Sequence, residues 1–397
     1  MRVVVGLMLM MISAGARAQC GDGRYSSYVF PTVNKSTETY STVYNLKMDV
    51  YQPAGDTFSA RPLIILAHGG SFISGNRASD VTVDSLCVRF ARRGYVTVSI
   101  DYRLTTLPIL VGDSALAVDE VIKAIGDGKA AIRYFVKDAA TANTYKIDTN
   151  NIYVGGNSAG AVLYMHVGYV TDIAEYPDYI DTALAHNGGF EGNSGNAGYS
   201  TKSKAVINLA GALNMSNLVS TGDVPSVNVQ GDLDNVVPYN CGYPLSGSVR
   251  VQLCGLGTLE GAYVAKGINH MSMVYPGDGH VPWSSNPVKF NTVDSLVRVF
   301  LFNLVCPGTS AVHSVLGAID VILYPNPASG SINITSPIAI SDVTLYDHVG
   351  RQVFNAANVA RTSFQLDTAK LAPGTYSVKL KFANKDNAPV VKQIVVR

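Results

Sequence analysis

The stretch Ile152-Tyr153-Val154-Gly155-Gly156-Asn157-Ser158-Ala159-Gly160-Ala161-Val162-Leu163-Tyr164-Met165 decides the reading of this chain. Ile152–Val154 is β-branched and aromatic and reads as a strand, and the residues from Ala159 onward read as a helix. Between them Gly156-Asn157-Ser158-Ala159-Gly160 matches G-x-S-x-G. The motif alone is weak, because a chain of this length and glycine content yields roughly 0.2 chance matches. Its position decides the matter. A strand-to-helix turn is tight, so small residues must flank Ser158, and the turn lifts the serine oxygen off the sheet beside a helix N-terminus. A second near-match, Gly192-Asn193-Ser194-Gly195-Asn196, lacks the final glycine and a preceding strand, which assigns Ser194 to a loop.

Upstream, the apolar strand Leu63–Ala67 runs into His68-Gly69-Gly70-Ser71-Phe72. Glycines here let the backbone approach a bound carbonyl, and free N–H groups of this turn, with that of Ala159, can receive a developing oxyanion. His68 belongs to this loop and suits a structural hydrogen bond better than proton transfer. A serine nucleophile also needs a base, and the base an orienting acid. Two acids compete after the strand Val227–Gln230, within Gly231-Asp232-Leu233-Asp234. Asp234 lies far enough past the strand for a loop to turn its carboxylate to the site, whereas Asp232 suits shaping the turn. For the base, His280 follows the last strand, Met271–Tyr275, through Gly277-Asp278-Gly279. His270 precedes that strand, His166 sits on the helix after Ser158 in a packing position, and His186, His313 and His348 fall in linker or turn contexts. Asp101 follows a strand but precedes Ser158, and is expected to pair with Arg103 or cap a turn.

Between residues 46 and 306, short β-branched runs alternate with helix-length stretches. The further strands Val96–Ile100 and Ala205–Leu209 and the helices Val81–Arg92, Lys129–Ala139, Ala161–Val170 and Val288–Leu304 complete the pattern. Such alternation predicts an α/β fold with a mostly parallel sheet covered by helices on both faces. After Cys306 the aperiodic stretch 307–320 is a linker. From Val321, short alternating strands at Ser331–Thr335, Val343–Asp347, Gln352–Asn355, Ser363–Leu366, Tyr376–Phe382 and Val390–Val396 predict a small all-β, Ig-like sandwich of residues 321–397. Arg2, the apolar run Val3–Ile12 and Ala16-Arg17-Ala18 form an export signal over residues 1–18, too short to span a bilayer. The catalytic region is then 19–306.

Thirty basic and 29 acidic residues leave a net charge of +1 and no cluster to bind a phosphate backbone, which excludes nucleic acid as a partner. Charged residues make up 15% of the chain, against roughly 25% in an average soluble protein, and this fits an exported one. No further stretch could span a membrane after signal cleavage. Export permits disulfides. Cys241 and Cys254 would close a short Gly-rich loop, Cys20 and Cys306 bracket one long region, and Cys87 has the spacing of a buried helical residue, although spacing does not fix connectivity. Asp232-Leu233-Asp234 lacks the later ligands of a calcium loop, so no metal is expected. Trp283, three residues after His280, is expected to line a substrate pocket, and Glu175–Lys204 to lie near it as a lid or loop.

The order Ser158, Asp234, His280, with His68-Gly69-Gly70 before them, is that of the α/β-hydrolase architecture. Residues 46–304 resemble a carboxylesterase of that fold, on His68-Gly69-Gly70-Ser71-Phe72, Asp101-Tyr102-Arg103, Gly156–Gly160, Asp234 and Gly279-His280. The resemblance implies that the N–H groups of Gly70, Ser71 and Ala159 form the oxyanion hole. It also implies an ester substrate, no cofactor and an acyl-enzyme on Ser158. Ser71 stands where some relatives have a third glycine, and the Cys241–Cys254 segment looks like an insertion. A peptidase of the same fold and a non-catalytic surface-binding protein are the alternatives. The tail resembles the C-terminal sorting domain of type IX secretion cargo of Bacteroidetes. The matching residues are Tyr324-Pro325-Asn326-Pro327, Leu345-Tyr346-Asp347 with Gly350-Arg351, Leu371 with Gly374-Thr375-Tyr376, and Lys392–Arg397. That implies the outer-membrane secretion machinery as partner and the cell surface or exterior as destination.

Overall fold

A computed structural model describes residue 20 and residues 23–175, 178–307, 321–324, 326–347, 350–382 and 389–397. The expected signal segment 1–18 and most of the expected linker 307–320 lie outside the described residues. The chain divides into two units, Met1–Thr309 and Ser310–Arg397.

In the first unit the strands are β1 (Val33–Ser41), β2 (Leu46–Pro53), β3 (Arg61–Ala67), β4 (Val96–Ile100), β5 (Ile147–Asn157), β6 (Ala205–Leu209), β7 (Ser226–Gly231), the two-residue pair β8 (Cys241–Gly242) and β9 (Leu253–Cys254), and β10 (His270–Tyr275). The helices are α1 (Val81–Ala91), α2 (Leu107–Gly112), α3 (Ser114–Ala140), α4 (Ala159–Tyr169), α5 (Asp181–His186), α6 (Leu256–Lys266) and α7 (Pro287–Val305). Eight strands form one sheet in the order β1-β2-β4-β3-β5-β6-β7-β10. The six from β4 to β10 are parallel, and β2 joins β4 antiparallel.

The apolar strands bury both faces, as a covered parallel sheet requires. In β3, Leu63, Ile65 and Ala67 pack with Ile125, Phe135 and Leu163 of α3 and α4. Ile64 and Leu66 point the other way, against Leu86 and Phe90 of α1 and Val297 and Leu301 of α7. At about 1.5–3 kcal/mol for each fully buried aliphatic side chain, these two layers hold the strands in register. Because the strands are parallel, their C-terminal ends share one edge, and the loops after β3, β5, β7 and β10 meet there.

Two features differ from the expectation. Helix α3 begins at Ser114 rather than near Lys129, because Gly126 and Gly128, which blur the pattern, are needed for close packing; a Cβ on Gly128 would lie 2.4 Å from Leu163 Cδ2. The polar strand β1 carries no alternation because most of it faces solvent. Disulfides join Cys20 to Cys306 and Cys241 to Cys254, and Cys87 is free and buried in the α1 layer. Among the described residues no helix is long and apolar enough to cross a membrane.

The second unit is all-β and antiparallel: β11 (Ile322–Tyr324), β12 (Ser331–Tyr346), β13 (Gln352–Asp367), β14 (Gly374–Phe382) and β15 (Val390–Val396). The four short strands expected over 331–366 are halves of two long ones. Residues Ser331–Thr335 and Asp342–Tyr346 of β12 both pair with β13, with register shifts between Thr335 and Asp342 where the strand departs from regular pairing. Ile332, Ile334, Val343, Leu345, Val378, Leu380 and Ile394 form its core, with Tyr376 and Phe382 buried beside them.

Candidate active site

Ser158 follows the last residue of β5 and precedes the first of α4, with φ 55° and ψ −120°. A left-handed φ on a residue with a Cβ costs about 1–3 kcal/mol and persists only where the surroundings impose it. Here they do. A Cβ on Gly156 would lie 2.4 Å from Ala67 O, and one on Gly160 2.1 Å from the same oxygen. Both glycines of the motif are therefore demanded by the neighbouring strand β3, and the Ser158 N–H is anchored on Leu209 O of β6 at 2.8 Å.

His280 Nε2 lies 2.8 Å from Ser158 Oγ, and its Nδ1 lies 2.8 Å from Asp234 Oδ2. A carboxylate only accepts, so Nδ1 carries the proton and Nε2 faces the serine with its lone pair. The fully buried Asp234 side chain also accepts from the N–H groups of Val236 and Val237, both at 3.0 Å, and from Gln230 Nε2 at 3.2 Å. Gln230, buried at the end of β7, further donates to Val237 O and accepts from Leu256 N–H. It thereby ties the acid's loop to the start of α6. Asp232 accepts from Gly277 N–H at 2.7 Å, and Leu233 N–H donates to Asp278 O at 2.9 Å, so the loops after β7 and β10 are laced together. Gly231 permits this crossing, since a Cβ there would lie 2.3 Å from Gly279 O.

The loop after β3 carries three successive left-handed residues, Gly70 (φ 121°), Ser71 (56°) and Phe72 (62°). It closes through Ile73 and Ser74 N–H on Gly70 O. Among the described residues the Gly70 and Ser71 N–H groups have no backbone acceptor, and that of Ala159 opens α4, where helix geometry supplies none. Gly69 N–H is occupied by Asp80 Oδ2. His68 is buried, stacks on Tyr102 with ring centroids 4.3 Å apart, and donates Nδ1–H to Gly69 O. Burial pushes its pKa below the usual imidazole value, so it stays neutral.

Among the described histidines none besides His280 bonds to Ser158 or Asp234, although His166 is one of the residues lining the cavity at Ser158. His166 Nδ1 bonds to Val162 O and Nε2 accepts from Asn214 N–H, and burial lowers its pKa too. His270 meets Glu260 at the opposite end of β10, His186 meets Asp119, and His313 and His348 lie outside the described residues. Asp101 does not pair with Arg103. It binds Arg77 at 2.8 Å, because Arg103 is taken by the buried Asp127, which also accepts from Ser194 Oγ. Nor does Trp283 line the cavity at Ser158: it is buried in the layer with α7, on the far side of the sheet from α3 and α4.

A cavity of about 100 Å³ opens at Ser158. Val162 and Ile125 from α4 and α3, Ile180 before α5, and Val237, Leu245 and Val249 around the disulfide loop line its apolar walls. Among the described residues of Glu175–Lys204, Ile180 reaches it. Farther along, Lys129 and Arg133 of α3 clamp the carbonyls of Phe190, Glu191 and Gly195, which fastens that segment to the helix.

Residues 48–230 match the family model BD-FAE, and residues 322–397 match the secretion system C-terminal sorting domain. The chain joins a BD-FAE domain of the α/β-hydrolase fold to a sorting domain. The sorting domain makes the type IX secretion machinery its partner, and the cell surface or exterior its destination. No curated protein matches the chain by sequence. Among solved structures, Thermogutta terrifontis esterase 2 phosphorylated by paraoxon is similar at 21% identity and a TM-score of 0.50, covering 68% of this chain and 94% of that one. The native form of that planctomycete esterase aligns at 19% identity and TM-score 0.51 (70% and 95% covered), and the propionate-bound form at 20% and 0.50 (71% and 97%). At such identities the likeness is one of fold, and the fold is that of an esterase-type α/β hydrolase.

Proposed function

We propose that the protein is a secreted serine carboxylic ester hydrolase. The observation that carries this reading is the hydrogen-bonded chain Ser158–His280–Asp234 at the mouth of an apolar cavity. His280 takes the Ser158 proton as Oγ attacks the ester carbonyl, and Asp234 holds the imidazole in the needed tautomer and offsets the imidazolium charge. The N–H groups of Gly70, Ser71 and Ala159 receive the tetrahedral oxyanion, each such donor being worth about 10²–10³-fold in rate. His280 then protonates the leaving alcohol. In the second half it activates water against the acyl-Ser158 ester, releasing the carboxylic acid and restoring the serine.

The cavity bounds the acyl group. An apolar cavity of about 150 Å³ holds benzene, so one of about 100 Å³ suits an acyl chain of a few carbons. The propionate complex of the structurally similar esterase is in keeping with that size. In this reading residues 1–18 are a cleaved export signal, 19–306 the catalytic domain, 307–320 a linker and 321–397 the sorting domain.

Turnover of chromogenic acetyl, butyryl and octanoyl esters tests it. Hydrolysis of the shorter two is expected, and Ser158→Ala is expected to lower kcat about 10⁴-fold or more. Undiminished turnover in that variant would remove Ser158 from the mechanism.

A further inference from the structure

Asp80 precedes α1 and belongs to none of the motifs that define the site. Its Oδ1 accepts from Thr82 and Val83 N–H at 3.0 and 3.2 Å, the ordinary work of a helix N-cap. Its Oδ2 is turned to other partners: Gly69 N–H at 2.9 Å and Asn157 Nδ2 at 3.0 Å. The first lies in the loop after β3, one residue before Gly70. The second is the residue immediately before Ser158. These segments stand 88 residues apart in sequence and share this oxygen. A third connection leaves the same helix turn, where Thr82 Oγ1 meets Ser284 Oγ at 3.2 Å, four residues after His280.

We infer that Asp80 is a positioning residue, whose one carboxylate fixes the oxyanion-loop backbone against the nucleophile elbow from its seat at the start of α1. The inference rests on the serine-hydrolase reading above. The elbow and the loop are both strained, with left-handed φ at Gly70, Ser71, Phe72 and Ser158, so each needs an external restraint to hold it. Oxyanion donors act only when placed within a few tenths of an ångström of where the charge develops, and a misplacement of about 1 Å costs about 10²-fold. The peptide after Gly69 supplies the Gly70 N–H, so the Gly69 bond sets the plane of the donor next to it. Seating the carboxylate at a helix N-terminus suits this task, because the helix dipole and four N–H donors stabilise the negative charge and hold it still.

The two oxygens separate the roles, and so can substitution. Asp80→Ser keeps an N-cap of equal quality but has no second oxygen to reach Gly69 and Asn157. In the full-length protein, Asp80→Ser is expected to lower kcat on a short-chain chromogenic ester about 10- to 100-fold. KM should stay within about threefold and the melting temperature within a few degrees. Asn157→Leu, which removes one donor of the tie and leaves the cap whole, is expected to lower kcat about tenfold. Asp113→Ser, the same exchange at the start of α3, is expected to leave kcat unchanged, since that carboxylate accepts only from Ala115 and Leu116 N–H. A kcat for Asp80→Ser within twofold of wild type overturns the inference. So does a loss of kcat that tracks a fall in melting temperature, or that Asp113→Ser reproduces; if Asp80→Ser fails to fold, an unchanged kcat in Asn157→Leu does the same. Ser158→Ala assayed alongside separates the two levels: an inactive Ser158→Ala with a fully active Asp80→Ser rejects the role of Asp80 alone, and an active Ser158→Ala rejects the serine mechanism itself.

Discussion

The serine and the acid–base pair are held in different ways. Ser158 is held by the sheet: Gly156 and Gly160 let β3 approach, its N–H bonds to Leu209 O of β6, and it joins strand to helix at a left-handed φ. Asp234 and His280 are 46 residues apart, and although the adjacent Val236 and Val237 N–H groups hold the Asp234 carboxylate, its meeting with His280 depends on two separate loops. They meet because Gly231 lets the loop after β10 cross over the end of β7, because Asp232 and Leu233 bind that loop, and because Gln230 grips the acid from below. The elbow is built into the sheet, whereas the acid–base arm is built from loops at its edge. A substitution inside the sheet is expected to cost stability first, whereas one in the loops can cost geometry while the fold survives.

The largest test of that difference is Asp234→Asn. With its Oδ1 kept on the Val236 and Val237 N–H groups, the amide turns an Nδ2–H donor toward His280 Nδ1, which must then accept and carry its proton on Nε2, so kcat is expected to fall about 10⁴-fold with the melting temperature little changed. Stopped assays on a short-chain ester measure it, and a fall under tenfold would remove Asp234 from the arm.

A pair of glycine substitutions sets the two regions side by side. Gly156→Ala forces a methyl group to 2.4 Å from a backbone oxygen inside the sheet, where nothing can yield, so its cost is expected as lost stability of about 1–3 kcal/mol or more. Gly231→Ala meets Gly279 O and Asp278 O, which belong to the loop after β10 and not to the sheet. There the expected cost is about 10²-fold in kcat with a smaller drop in melting temperature. Equal stability losses and equal rates in the two variants would erase the distinction.

The smallest expected effect concerns pH. His68 and His166 flank the serine side, and burial lowers both pKa values, so both are neutral when folded. The unfolded chain takes up protons on them below about pH 6.5, and the folded chain resists this until lower pH. Their contribution is thus present above pH 6.5 and lost as pH falls below it, at up to about 1.4 kcal/mol per pH unit for each. Melting curves between pH 7 and 5 are expected to show a shallower acid slope for His166→Gln than for wild type, and identical slopes would show that His166 does not resist protonation.

The central strands were legible in the sequence because parallel strands buried on both faces are unbroken apolar runs, and β3, β4 and β6 stand out as such. The elbow was legible because its pattern, a serine between small residues at a strand-to-helix junction, falls on consecutive residues. The edge strand β1 was not, since solvent imposes no alternation on it, and the start of α3 was masked by Gly126 and Gly128, whose worth lies in what packs against them. The long strands β12 and β13 read as halves because the register shift between Thr335 and Asp342 interrupts their alternation.

The site divides along the same line. The amino-acid sequence by itself determined the kind of chemistry available and where the nucleophile sits, since a serine between glycines at a strand-to-helix junction is a pattern of consecutive residues. Only the tertiary structure decided that Trp283 packs away from the cavity, that Asp101 binds Arg77, and that Asp80 stands at the meeting of the oxyanion loop and the elbow. Each of these depends on two segments approaching within about 3 Å, a distance typical of a hydrogen bond, and spacing along the chain carries no record of it.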